Sequence, residues 1–299
     1  MIFRASIFSF NKNNYLEKEC VLRMIISEDD IETKESINWI PASKICITEL
    51  EITKQFESDD YTESIIFPGC KLKLIRSEKA LQYLKEENCV NIVEAESQHS
   101  DLVPAKYEGG LKIWECSYDL GHYVFENSVE FRDKTVLDLG CGAGVIGLIA
   151  LLRNSVVHFQ DYNVEVIKSV TIPNVLLNSE DRKNILHRCE FFCGDWESFT
   201  KLNESDNESH VTKYDLIFTS ETIYNPDNHR KLYNVFKEKL KQDGVGFIAA
   251  KSYYFGVGGG MRQFQNLIEE DNVFNVEIVW TSQQGLQREI LKISRTQRS

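Results

Sequence analysis

The ten residues Thr135–Gly144, TVLDLGCGAG, decide how this chain folds. Their apolar start reads as a buried strand, and Val145–Arg153 (VIGLIALLR) reads as the helix that follows it. Between them Gly140, Gly142 and Gly144 make a G-x-G-x-G turn. Glycines there permit a tight turn and let a ligand approach the backbone closely, while the helix N-terminus offers free N–H groups to an anion. The next strand ends in Asp161, about 20 residues on, where an acid can accept both hydroxyls of a ribose. A tight turn with no ligand is the bland alternative. The Gly-Lys-Ser/Thr ending of a Walker loop is absent, and the spacing differs from the dinucleotide pattern G-x-G-x-x-G.

Working outward, strands and helices alternate. Val156–Asp161, Cys189–Asp195, Tyr214–Glu221 and Gly244–Lys251 read as further strands. Val164–Asn178, His229–Lys241 and Met261–Asp271 read as the helices among them. Continuous apolar strands separated by helices signal a parallel sheet covered on both faces. Phe274–Trp280 and Leu286–Ile293 alternate instead, as an antiparallel edge pair does. The fold expected is α/β, a seven-stranded, mostly parallel, doubly wound sheet spanning 106–299, with an N-terminal extension over 1–105. Within that extension Cys20–Ile26, Lys44–Thr48 and Lys71–Ile75 read as short strands among acidic stretches, and Ser77–Asn88 as a helix capped by its serine. The polar stretch from Thr200 to Lys213 reads as a surface loop, and the N-x-S sequons at Asn203 and Asn207 mark nothing more than that.

The chain has 299 residues, 42% hydrophobic, and a net charge of −12. Such a surface repels a phosphate backbone and suits a basic protein partner, although acidity for solubility alone is the plain alternative. The eight cysteines include no C-x-x-C pair and no grouping with histidine at zinc spacing, so they read as reduced thiols, with no metal. No apolar run is long enough to span a membrane, and the start lacks a clear leader cleavage site.

Several further stretches narrow the reading: Glu108–Leu120 (EGGLKIWECSYDL), Phe159–Asn163 (FQDYN), Val170–Val175, Gly194–Trp196 (GDW), Thr219–Pro226 (TSETIYNP) and Tyr254–Gly260 (YFGVGGG). Together with the glycine turn they resemble the class I, seven-β-strand S-adenosylmethionine (SAM)-dependent methyltransferases, and within them the protein-histidine N-methyltransferases. The resemblance runs from about Ser100 to Ile293. It implies SAM as cofactor, with Asp138 placing the methionine amine and Asp161 the ribose. Asp195 would face the adenine amino group and Trp196 would pack on the ring, unless Trp196 is only core. Contacts are also implied for Lys112, Ile113, Trp114, Glu115, Cys116, Gly140, Gly142, Gly144, Gln160, Tyr162, Gly194 and Ser220. Trp114 reads equally as a buried anchor. The implied acceptor is a histidine, at the tele nitrogen, of a large-subunit ribosomal protein.

Histidine is a physically easy acceptor. An imidazole of pKa about 6.5 is mostly neutral at physiological pH, whereas deprotonating a lysine there costs about 4 kcal/mol. Such an enzyme needs orientation and tautomer control more than a strong base. Glu221, Tyr224 and Asn225 are candidates to accept the other ring N–H, against the alternative of helix capping or loop anchoring. The position lacks the Asn/Asp-Pro-Pro-aromatic box of many enzymes that methylate nucleobase amines, so sequence-specific nucleic-acid binding is not expected. Tyr253, Tyr254, Gly258 and Gly259 read as a wall of the acceptor site, or as a flexible lead into the next helix. A monomer in cytoplasm and nucleus, nucleolus included, is expected. Two alternatives stay open: a protein-lysine methyltransferase of the same superfamily, and a SAM-binding ribosome-assembly factor that acts by binding.

Overall fold

The computed structural model describes residues 38–48, 60–89, 92–93, 95, 102–202 and 212–297. The expected strand Cys20–Ile26 and both sequons lie outside them. The compact unit begins at Trp39.

Its centre is an eight-stranded sheet. Four parallel pairings join β4 (Thr135–Leu139), β5 (Val156–Asp161), β6 (Cys189–Cys193), β7 (Tyr214–Ser220) and β8 (Leu240–Lys251) in the order β6-β5-β4-β7-β8. β10 (Arg288–Arg295) pairs antiparallel with β8, and β9 (Phe274–Thr281) closes that edge on β10. These are the seven strands expected. The eighth, β1 (Ser43–Lys44), pairs antiparallel with β6 at the other edge. It is shorter than the expected Lys44–Thr48 strand, though Ile45 still donates its N–H to Phe191 O at 2.8 Å.

Adjacent strand residues serve opposite cores, as the two-residue period requires. Val136, Phe191, Leu216 and Phe247 join one hydrophobic cluster, while Leu137, Phe192, Ile217 and Ile248 join the other. That is why the central strands carry no polar alternation. The first cluster also takes in a second sheet, the hairpin of β2 (Thr62–Phe67) and β3 (Cys70–Ile75), and helix α1 (Ser77–Glu86). Ser77 is not the cap of α1: Arg76 holds that position, and the Ser77 hydroxyl donates instead to Leu111 O at 2.8 Å. A contact across 34 residues outcompetes the local one. Helix α2 (Glu115–Glu126) lies against Phe67, whose ring occupies the space that a Cβ on Gly121 would need, 2.4 Å away.

Helix α3 (Val145–Leu152) follows the glycine turn. The helix after β5 runs as Val164–Val166, a π-helical turn Ile167–Thr171 and Ile172–Leu177; we call the whole α4. Asn174 of α4 and Asn178, which caps its C-terminus, accept the N–H groups of Ile75 and Lys73, tying the hairpin to it. α5 (Arg182–Leu186) and α6 (Trp196–Lys201) flank β6, and α7 (His229–Lys239) and α8 (Met261–Glu270) flank β8. The polar loop read from Thr200 begins with the end of α6, and residues 203–211 lie outside the described residues.

Candidate functional site

The strand order reverses direction at β4, so the carboxyl ends of β4, β5 and β7 leave a crevice there. A cleft occupies it. Its floor is the glycine turn. Gly140, Gly142 and Gly144 have φ of 65, 49 and 75°, the left-handed region. A Cβ on Gly142 would lie 3.0 Å from Gly110 O, and one on Gly140 would lie 2.6 Å from Thr222 Cγ2. Side chains here would fill the cleft that glycine keeps open.

Three groups hold the turn in place. Gly142 N–H donates to Asp161 Oδ2 at 2.9 Å, and Gly142 O accepts from the Thr171 hydroxyl at 2.7 Å. Thr171 reaches it from the π-helical turn of α4. Gln160, fully buried, joins three segments: its amide donates to Gly194 O at 2.8 Å, and its Oε1 accepts from Trp196 Nε1 at 2.9 Å and from Gly140 N–H at 3.4 Å. Asp161 lines the cleft, and burial raises its carboxyl to about 6 against the N–H bonds of Gly142 and Asn163. Asp138 does not line the cleft; its Oδ2 accepts from Gly147 N–H at 2.8 Å inside α3, and burial raises it to about 7.

At the β6 end, residues from Trp39 to Ile45 run along the sheet edge as a strap. Ile40 accepts from Asp195 N–H at 2.8 Å and donates to the Tyr162 hydroxyl at 3.1 Å. Ala42 N–H donates to the Ser198 hydroxyl at 2.7 Å. The strap passes so close that a Cβ on Gly194, at φ 101°, would lie 2.6 Å from Ala42 Cα. Trp39 and Trp196 both line the cleft here. Asp195 also lines it, but its carboxylate is engaged: Oδ2 caps α6 through the N–H groups of Glu197 and Ser198, and Oδ1 accepts from Lys231 Nζ at 2.6 Å. Lys231 Nζ in turn lies 3.7 Å from the centroid of the Trp39 ring. Asn228, one turn before Lys231, lines the same cleft and leaves Oδ1 buried with no hydrogen-bond partner.

Across the middle, the Tyr224 hydroxyl donates to Glu108 Oε2, and Ala105 N–H donates to Oε1 at 2.9 Å. Burial holds the Glu108 carboxyl above the usual range. At the β7 end lie Trp114, Ser220 and Glu221. Glu221 has φ 58° and is buried. Its Oε2 accepts from the Tyr254 hydroxyl at 2.6 Å, and its Oε1 faces Cys116 N–H at 3.4 Å and Lys251 Nζ at 3.8 Å. The Ser117 and Ser220 hydroxyls bond each other at 2.8 Å.

Lys112, Ile113 and Tyr162 line the cleft as well. Glu115, Cys116, Gly144 and Gln160 support it from outside its lining. Asn225 also lies outside it: its side chain accepts from Asp227 N–H at 3.0 Å, capping the 3₁₀ turn Pro226–Asn228. Tyr253 and Gly258 are exposed, and Gly259 is buried against Ile223 and Tyr224. Trp39, Asn228, Lys231 and Lys251 carry no local signal for the site; only the tertiary fold brings them in. Glu108 sits inside one of the stretches that carry the resemblance, but nothing in its neighbours marks its role.

This donor set suits SAM. Glycines clear the floor, an acid stands at the ribose position, and two indoles wall one end.

A methyltransferase-domain family profile matches residues 130–295. The chain is 44% identical over 218 residues to a histidine protein methyltransferase 1 homolog of Bos taurus, covering 66% of this chain and 58% of that protein. It is 36% identical over 291 residues to the Mus musculus homolog, covering 90% of this chain and 78% of that protein. A solved Streptococcus mutans chain assigned as a SAM-dependent methyltransferase matches with a TM-score of 0.51 at 12% identity, covering 79% of this chain and 56% of that one, which speaks for the fold alone. The chain thus spans between about three fifths and four fifths of these curated relatives, and on the domain match and the mouse relative together it belongs to the histidine protein methyltransferase 1 family of methyltransferase-domain proteins.

Proposed function

We propose that this chain methylates a histidine side chain of a protein, at the tele nitrogen, with SAM as the methyl donor. The observation that carries the reading is the joining of family membership to the β7 end of the cleft, where a buried carboxylate, Glu221, is fixed by Tyr254 and faces the site. When bound, SAM supplies a methyl on a sulfonium: its C–S bond breaks as the C–N bond to the imidazole forms. Gly140 and Gly142 let the cofactor lie on the turn, and Asp161 accepts ribose hydroxyls. Trp39 and Trp196 would enclose the adenine. Because Asp195 is committed to α6 and Lys231, Asn228, which lines the cleft and whose Oδ1 has no partner among the described residues, would be the acceptor for the adenine amino edge. Glu221 accepts the N–H of the acceptor's other nitrogen, exposes the attacking lone pair, and receives that proton from the imidazolium product.

The acceptor protein is basic, in keeping with the charge of −12, and a large-subunit ribosomal protein is our proposed substrate. A monomer working in cytoplasm and nucleus completes the proposal. Incubation with labelled SAM and total large-subunit ribosomal protein, followed by mass-spectrometric mapping, tests it. Label on a histidine is expected; label on lysine or RNA with histidine unmodified overturns the acceptor. Asp161→Ala should weaken S-adenosylhomocysteine binding at least 30-fold by calorimetry, and unchanged affinity refutes the ribose placement.

A further inference from the structure

A lysine outside the lining stands beside the β7 end of the cleft, whereas Lys112 lies within that lining. Lys251 is the last residue of β8, and its Nζ lies 3.3 Å from Glu115 Oε2 and 3.8 Å from Glu221 Oε1. It is held there by two rings, Trp114 at 5.5 Å and Tyr254 at 5.8 Å from their centroids. Its backbone takes part too: Lys251 N–H donates to the Tyr254 hydroxyl at 3.3 Å, and that hydroxyl donates to Glu221. One residue thus acts on Glu221 through both main chain and side chain.

The charges facing this point come from four elements. α2 presents Glu115, Cys116 and Asp119; the end of β7 presents Glu221; the segment after β8 presents Tyr254; β10 presents Arg288, which pairs with Asp119 at 2.5 Å. Burial and then Glu221 push the Cys116 thiol and the Tyr254 hydroxyl far up, so both are neutral. Glu115 is held below the usual range, first by its own backbone N–H and then by Lys251. With Asp119 and Arg288 cancelling, Glu115, Glu221 and Lys251 leave one net negative charge. Without Lys251 there would be two.

That difference bears on what the site accepts. Two carboxylates around one lysine, Glu221 buried and Glu115 exposed, attract ammonium groups and hold protons on imidazoles. Neither a lysine ammonium nor a histidinium carries a lone pair for a methyl. Resting on the histidine acceptor proposed above, we infer that Lys251 is a positioning residue that sets acceptor selectivity: its ammonium offsets Glu115 and Glu221, so that the mouth takes a neutral imidazole and disfavours cationic side chains. Glu221 then accepts one N–H without drawing in a second proton. Selectivity of this kind works by placing a like charge against the wrong partner.

The sign of the pH effect follows. The reactive imidazole must be neutral, and a more anionic mouth keeps it protonated to higher pH. Removing Lys251 therefore moves the acid limb of the rate profile upward. Lys251→Met and Lys251→Arg, each compared with the unaltered chain, test this, with S-adenosylhomocysteine affinity as the control for folding. Lys251→Met should lower histidine labelling of total large-subunit ribosomal protein at least 10-fold at pH 7.4, raise the acid limb by half a unit or more, and leave S-adenosylhomocysteine affinity within about 3-fold. Lys251→Arg should restore the limb. A second arm needs no turnover. Binding of Nα-acetyl-lysine methylamide and Nα-acetyl-norleucine methylamide to the S-adenosylhomocysteine-loaded protein is followed by NMR. The preference for the lysine probe should rise at least 3-fold in Lys251→Met. An unmoved acid limb or an unchanged probe ratio overturns the inference and leaves Lys251 a structural anchor. Absence of histidine label in the unaltered chain overturns the acceptor proposal instead, and the probe ratio still decides the part played by Lys251.

Discussion

Two glycine clusters stand at the carboxyl ends of two strands, and they solve opposite problems. Gly140, Gly142 and Gly144, after β4, all take left-handed φ, and the first two border a cleft. Gly256 and Gly258, after β8, also take left-handed φ, at 84 and 88°, but a Cβ on either meets nothing within 4 Å. Gly259 and Gly260 are tight for another reason: a Cβ on them would lie 2.1 Å from Ile223 O and 2.4 Å from Ser252 O. The close approach in the second cluster is thus to the chain's own backbone. The first cluster clears room for a ligand, whereas the second lets one loop lie flat on the segment that carries Glu221 and Tyr224. Glycine content alone does not separate these uses; what the missing Cβ would touch does.

The comparison can be broken by substitution. Gly142→Val places a branched side chain at φ 49° against Gly110 O. It should abolish S-adenosylhomocysteine binding, at least 100-fold by calorimetry, with the circular dichroism spectrum retained; near-normal affinity would mean the turn is not the floor of the site. Gly259→Ala should shift Ile223–Tyr224 and with them Glu221. Methyl transfer should fall at least 20-fold while S-adenosylhomocysteine affinity changes less than about 5-fold, and equal losses would make the two clusters one unit.

A smaller effect concerns the strand that feeds the first cluster. Asp138 and Asp161 are raised by burial to about 7 and about 6, above an unfolded value near 4. The folded state then binds more protons than the unfolded one between those values, so stability is lost as pH rises from about 4 to about 7. Asp138→Asn keeps an acceptor for Gly147 N–H and removes the Asp138 part of that slope, leaving the part due to Asp161. Its melting temperature at pH 8 should exceed that of the unaltered chain by about 3 °C or more, and a lower one at every pH would show that the charge is wanted. Smallest of all, Gly258→Ala has space for its methyl but not the preferred φ. It should cost about 1 kcal/mol, or about 2–4 °C, and leave methyl transfer within 3-fold.

What the sequence discloses follows from how many partners each element needs. β4 to β8 are legible because both of their faces are buried, which forces long apolar runs. β2, Thr62–Phe67, is not, because it alternates: Ile66 is 72% exposed while Phe67 is buried. It also opens beside the acidic run that ends at Asp60. β1 is two residues long and owes its place to β6 rather than to its own composition. In the site, the floor and the Asp161 carboxylate are local and can be read from spacing. Asp195 is legible as a residue of the cleft, but its bond to Lys231 is not, since that partner arrives from α7. Asn225 shows the limit from the other side: an asparagine next to residues that line the cleft turns its side chain to the helix turn it begins.

The strap from Trp39 to Ile45 has a consequence beyond the cleft. β6 would otherwise present an open row of N–H and C=O groups, the kind of edge on which strands of other molecules add. β1 and Ile45 occupy that edge, and the same strap brings Trp39 to the cleft. A piece that began after Ile45 would therefore lose the guard on its sheet edge and the Trp39 wall of its binding cleft together. Solubility and cofactor affinity, normally separable properties, are here set by one short length of chain.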